Sequence, residues 1–286
     1  MKNIILILIF LISYESFAQT SFFGDRETTK KRIENIKQST VKILVDNIKS
    51  GTGFFVTSDG ILVTNWHVVI NDKTRLDDKG KISNKFSIVD FKNDTIPVNI
   101  ILNLSKESVL EEAIVWDYCI LKTNIKTTSK FLKLGNFKNA YEGESIYTCG
   151  FPLDLDDTFL TTGILSTLSV QSLTINSKNQ QRQIAWLDMT TNKGNSGGAL
   201  MTLGKNPEDD EVIGITSFIT VPFYKDLEEL NKYVTETEKI GTVEFMGINF
   251  LRYIKLINTA VNSNSVGISG CISIEKVSAI INANNK

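Results

Sequence analysis

Histidine is the scarcest reactive residue in this sequence: 286 residues contain one, His67. If His67 is committed elsewhere, a zinc site has almost no ligands left, so no metal is expected, and no cofactor is expected either. Cysteine is nearly as rare. Cys119, Cys149 and Cys271 are an odd number with no paired spacing, so no disulfide framework is implied. Two of them sit in apolar strand-like runs ("YCILK", "IYTCGF"), where cysteine behaves as a small buried hydrophobe; a single bridge among the three is the alternative. Charge of one sign is also missing. With 31 basic and 32 acidic residues and no cluster of either, neither a nucleic-acid partner nor a solvated acidic tail is expected. There is no internal repeat or low-complexity tract. A hydrophobic content of 42% supports a soluble protein with a sizeable core in one or two compact units.

The N-terminus, "MKNIILILIFLISYESFAQ", has a lysine, a short apolar run and small residues at Ser16 and Ala18. That is the form of a secretory signal peptide over residues 1–18, with no membrane association after its removal. The apolar run is about half of the roughly 20 residues a spanning helix needs. An exported protein, periplasmic or secreted, is expected.

Residues 19–40 form a charged helical lead-in, with a helix over Arg26 to Gln38. β signals then dominate, as short β-branched and aromatic runs broken by Gly, Asn and Asp. One set lies in 41–135 ("VKILVD", "GTGFFVT", "GILVTNWHVV", "KFSIVDF", "TIPVNIIL", "DYCILKT"). The second lies in 136–250 ("ESIYTCGFP", "TTGILSTLSV", "QIAWLDM", "EVIGITSFI", "VEFMGINF"). Two sets of similar size predict an all-β fold of two packed antiparallel six-stranded barrels. Helical periodicity appears in "SKESVLEEAIVW", with Ser105 as cap, in a charged insertion "LEELNKYVTETEK", and in "LRYIKLINTAV". The last of these opens a C-terminal helix and tail over 251–286.

"GNSGGAL", residues 194 to 200, places Ser196 among glycines. A serine hydroxyl is a poor nucleophile unless a base takes its proton and a carboxylate fixes that base. Only His67 is available as the base, so chain order discriminates. No histidine follows Ser196, which excludes the order serine, acid, histidine of α/β-hydrolases. The order acid, histidine, serine leaves Asp25, Asp46 and Asp59, none in a matching setting. The order histidine, acid, serine has a good acid in Asp117, which heads the apolar run "DYCILKT"; Asp90 and Asp94 are rivals that flank a polar turn.

Taken together, Gly51-Thr52-Gly53-Phe54, Thr64-Asn65-Trp66-His67-Val68-Val69, Asp117-Tyr118-Cys119-Ile120-Leu121-Lys122 and Gly194-Asn195-Ser196-Gly197-Gly198-Ala199-Leu200 resemble the trypsin-like (chymotrypsin-fold) serine proteases, nearest to the bacterial Deg/HtrA type. The resemblance covers about residues 40 to 250. It implies a serine endopeptidase acting on polypeptides, with His67, Asp117 and Ser196 as the triad and the amides of Gly194 and Ser196 as the oxyanion hole. It also implies that Thr190 forms the base of the S1 pocket and Ile215, Thr216 and Ser217 its wall. With no acid at that base and no second histidine, a small or medium apolar P1 residue is expected. Asn195 replaces the aspartate that digestive relatives pair with a new N-terminus, so activation by such insertion is not expected.

The chain departs from the resemblance at Lys193, where the family often has proline. The residues after Phe250 are too few for an appended PDZ domain, and the tail has no clear counterpart. Homo-oligomer formation is compatible with the sequence and not implied by it. "LDLDD" and "PEDDE" read as solvated loops. The rival reading is a catalytically silent protease-fold binding module, from which reactivity of Ser196 distinguishes an enzyme. A Ser/Lys acyl-enzyme based on Ser39-Thr40-Val41-Lys42 lacks its K-T-G partner.

Overall fold

In this computed structural model, residues 22–284 are described, apart from 71–73, 75–81, 103, 124–128, 154, 220–223, 240, 242–243, 246–247 and 264–266. The expected signal peptide lies outside the described residues. Helix α1 (Arg26–Ser39) leads into β1 (Thr40–Val45), β2 (Ile48–Phe55) and β3 (Ile61–Thr64), and one turn of helix, α2 (Trp66–Val69), follows. β4 (Phe86–Val89), β5 (Thr95–Ile100), helix α3 (Glu107–Val115) and β6 (Cys119–Thr123) complete the first unit. Its strands close as an antiparallel barrel in the order β1-β2-β3-β6-β5-β4. The α3 helix starts after Lys106 with no side-chain cap, so Ser105 is not the cap the sequence suggested.

The second barrel contains β7 (Ser145–Gly150), β8 (Phe159–Ile175), β9 (Lys178–Asp188), β10 (Ala199–Thr202) and β11 (Glu211–Ile219). After β11 come α4 (Tyr224–Glu238), a small hairpin of β12 (Glu244–Phe245) and β13 (Ile248–Asn249), and α5 (Phe250–Ser263). The sixth barrel strand is β14 (Ile268–Ser273), which pairs with β11 on one side and β9 on the other; α6 (Glu275–Asn284) ends the fold. This corrects the sequence reading, which closed the second barrel by residue 250 with "VEFMGINF". Among the described residues, that segment pairs with itself, as β12-β13. The helical stretch after it precedes the last barrel strand, and the tail supplies that strand.

Strands β3, β6, β7 and β10 are buried on both faces because they serve two cores. Phe55, Leu62, Cys119 and Leu121 fill the first barrel, and Ile146, Leu165, Leu187 and Cys271 fill the second. Their neighbours Phe54, Val63, Ile120, Tyr147, Cys149 and Ile215 form a third layer between the barrels, sealed by Ile36 of α1 and Ile274, Val277 and Ile281 at the C-terminal end. This double burial is why the strands read as continuous apolar runs instead of alternating ones.

The three cysteines lie in these layers, unpaired and fully buried. Burial in apolar surroundings raises each thiol, Cys149 to about 11 and Cys271 to about 12, with Cys119 higher still. Iodoacetamide at pH 8 should therefore leave the folded protein unmodified and alkylate three thiols after denaturation, as read by intact mass.

One buried ion pair anchors α1. Arg32 Nε stands 3.0 Å from Asp210 Oδ2, and both side chains are almost fully buried. The Arg32 fork also donates to the carbonyls of Phe23 and Gly204, and Tyr147 Oη donates to Asp210 at 2.7 Å. Removing one partner of such a pair strands the other charge without water. Arg32→Ala should cost about 3 kcal/mol or more in urea unfolding, against about 1 kcal/mol for Tyr147→Phe, which loses only a hydrogen bond.

Candidate active site

Strand pairing brings His67 and Asp117 together. β3 and β6 pair with Thr64 opposite Cys119, so the chain just beyond β3 and the chain just before β6 share one rim. Asn65 caps α2 in extended conformation, and His67 is the second residue of that turn. His67 Nδ1 lies 2.9 and 3.0 Å from the two carboxylate oxygens of Asp117, and the His67 backbone N–H donates to Oδ1 at 3.1 Å. With Nδ1 as the donor, Nε2 carries the free lone pair.

Asp117 adopts φ +42°, a left-handed conformation unusual for a residue with a side chain. The cause is how α3 ends. Tyr118 N–H donates to Ala113 C=O at 3.2 Å and Asp117 N–H to Ile114 C=O at 3.3 Å, the paired bonds of a Schellman motif with Asp117 at the position usually taken by glycine. The carboxylate is thereby turned back toward α2. Asn65 Nδ2 holds the Asp117 carbonyl at 2.9 Å, and Ser217 Oγ, from the second barrel, donates to Asp117 Oδ2 at 2.6 Å. The rival acid Asp90 has a different task, accepting from the amides of Lys92 and Asp94 in its own turn.

Ser196 follows a tight turn in which Asn195 N–H donates to Asn192 C=O at 3.0 Å. Gly194 stands third in that turn with φ +98°, as type II geometry requires. Lys193 C=O accepts from Leu153 N–H, and Thr52 Oγ1 bridges Gly194 C=O (2.6 Å) and Phe151 N–H (3.0 Å). Among the described residues, the amides of Gly194 and Ser196 donate to nothing. Ser196 Oγ donates to Ser217 C=O at 3.3 Å, and no bond joins it to His67.

The loop is clamped between the barrels. Thr52 N–H donates to Ser196 C=O at 2.9 Å, Gly197 N–H to Thr216 C=O at 2.8 Å and Thr216 N–H to Gly198 C=O at 2.9 Å. Gly197 abuts the first barrel: with φ +89°, a Cβ there would stand 2.0 Å from Thr52 C=O and 2.3 Å from Thr64 Oγ1. Gly198 is the glycine that approaches the second barrel, at Cys149 C=O.

The four residues expected around the S1 pocket separate. Thr190 is exposed at the end of β9, beside Gly267. Ile215 is fully buried in the layer between the barrels. Thr216 is also buried, its hydroxyl 3.3 Å from that of Thr148, and its backbone secures the serine loop. Ser217 supports Asp117 and faces Ser196 through its carbonyl. Sequence reasoning missed the supporting roles of Thr52, Asn65 and Ser217, although the first two stand inside quoted motifs. Arg182, described below, carried no sequence signal.

A profile of the "Trypsin-like peptidase domain" family matches residues 51–215, more than half the chain. The chain belongs to this family. Among similar proteins are "Serine protease HTRA1A" of Danio rerio, 32% identical over 170 residues (59% of this chain, 30% of the relative), and "Serine protease HTRA1" of Xenopus tropicalis, 30% identical over 191 residues (66% and 36%). The chain thus spans about a third of the length of these relatives. Among solved structures, "HtrA-type protease AlgW with tripeptide" shares the fold at a TM-score of 0.55 and 15% identity, over 89% of this chain and 62% of that one.

Gly197→Ala should cost upward of about 3 kcal/mol, because its new methyl meets backbone that cannot yield. Gly143→Ala, with a similar φ but open space around it, should cost only about 1 kcal/mol. Urea unfolding of the two variants tests this difference.

Proposed function

We propose that the protein is a serine endopeptidase that cleaves polypeptides through an acyl-enzyme, with Ser196 as nucleophile, His67 as general base and Asp117 as its orienting acid. The observation that carries this reading is the carboxylate of Asp117 on Nδ1 of the chain's single histidine, itself held by a hydroxyl from the other barrel. That contact fixes the tautomer that leaves Nε2 able to take a proton.

A rotation about the Cα–Cβ bond moves Ser196 Oγ from the Ser217 carbonyl toward His67. The hydroxyl then attacks the substrate carbonyl as its proton passes to Nε2. The free amides of Gly194 and Ser196 stabilise the oxyanion, such donors being worth about 3 to 4 kcal/mol in the transition state. His67 returns the proton to the leaving amine, and water releases the acyl group by the same steps in reverse. The partially exposed imidazole is covered when substrate binds.

The substrates are exported or unfolded polypeptides cut after small or medium apolar residues, since neither an acid nor a second histidine stands among the pocket positions that the family resemblance implies. The protein works in the periplasm or outside the cell. A fluorophosphonate should label Ser196 in the protein, read as an adduct by intact mass, and Ser196→Ala should abolish it. His67→Ala should slow labelling by several orders of magnitude, about 10⁴-fold or more. Wild-type labelling by Ser196→Ala, or none by the wild type, would favour the silent binding module. A peptide library cut chiefly after Arg or Glu would overturn the P1 assignment.

A further inference from the structure

The β8-β9 hairpin extends beyond the barrel and ends in a tight turn at Asn176-Ser177, both with positive φ. Its outer part lies against α3, the helix whose C-terminus creates the conformation of Asp117. Lys178 pairs with Glu111 at 3.2 Å, and Asn176 donates to the same carboxylate. The second attachment is more pointed. Arg182 Nη1 donates to Val115 C=O at 3.0 Å, while its Nε donates at 2.8 Å to Oε1 of Gln171, the residue directly across the strand pair.

The bond to Val115 completes the end of the helix. The last turn of a helix leaves its carbonyls without internal partners. Here Glu112 C=O takes the amide of Trp116, Ala113 C=O that of Tyr118 and Ile114 C=O that of Asp117. Val115 C=O, two residues before the catalytic acid, is taken by the guanidinium. A cation at a helix C-terminus is also favoured by the helix dipole, and the Asp117 carboxylate attracts the same charge.

We infer that Arg182 is a positioning residue for the proposed hydrolysis: by capping α3 from the opposite barrel, it holds Asp117 in its left-handed conformation and so keeps His67 aligned. Asn65 grips the carbonyl of Asp117 on one side, and Arg182 grips the peptide behind it on the other. Displacement of the acid by an ångström or less is enough to slow a reaction that depends on such alignment.

The inference rests on the proposed triad, and fluorophosphonate labelling tests the two separately. If the wild type fails to label, the triad reading fails; if it labels, the variants decide the role of Arg182. Arg182→Gln removes the charged fork, and Arg182→Met keeps the packing stem while removing every donor. In whichever of these retains its melting transition, labelling should be about 10- to 100-fold slower. On a cleaved peptide, kcat should fall by a similar factor with KM unchanged. Arg182→Lys, with a single donor able to reach Val115, should recover part of the rate. Glu111→Gln releases the hairpin at its other attachment and should stay within about a factor of two of wild type. A wild-type labelling rate in a folded Arg182→Gln or Arg182→Met would overturn the assignment. So would an equal loss in Glu111→Gln, since the effect would then belong to hairpin packing as a whole.

Discussion

Two closed barrels that each satisfy their own backbone hydrogen bonds have no internal reason to meet at a fixed angle. In this protein a buried apolar layer joins them, and the polar contacts across it include Ser217 of the second barrel donating to Asp117 of the first and Thr52 of the first accepting and donating around the loop that carries Ser196. Each contact is one hydrogen bond worth about 1 kcal/mol net, yet together they hold side chains drawn from both halves beside one another. Everything in the site depends on this seam. His67 and Asp117 are aligned by strand register within one barrel, whereas the Ser196 loop comes up against that barrel because Gly197 lets backbone lie directly on the Thr52 peptide.

The conformation of Asp117 shows how helix termination can aim a side chain. Glycine would end α3 with less strain, but glycine has no carboxylate. The left-handed aspartate, which costs about 1 to 2 kcal/mol, is supported by bonds at its carbonyl, at both carboxylate oxygens and at the preceding peptide. Local strain is tolerable there because several independent elements agree on the same geometry.

Much of this was legible in the sequence, for reasons specific to each part. With one histidine and no histidine after Ser196, chain order narrowed the acid to Asp90, Asp94 and Asp117, and the apolar run behind Asp117 favoured it over two residues that flank a polar turn. The two-barrel architecture followed from β-branched runs separated by turn residues. Pairing partners were not legible. "VEFMGINF" and "ISGCIS" both read as strands, and periodicity does not say which will find the open edges of β9 and β11. Side-chain direction was not legible for a related reason: a position counted along β11 does not reveal which face of that strand turns to the core, and the Ile215 side chain turns inward. Arg182 left no trace because its importance lies in a contact between segments far apart in sequence.

The late position of β14 has a consequence for the order in which the protein folds. About fifty residues, including both helices of the insertion, separate β11 from the strand that must lie between it and β9. The first barrel is complete within residues 40–123, but the second must wait for a more distant segment to be made and to pay the loop-closure entropy. Until then β9 and β11 present unpaired edges, the part of the molecule most open to mispairing with another chain. The serine loop, anchored to β11 through Thr216, stays unclamped for the same interval. The order of synthesis therefore delays the clamp: the loop that carries Ser196 is secured only once β14 has joined β9 and β11.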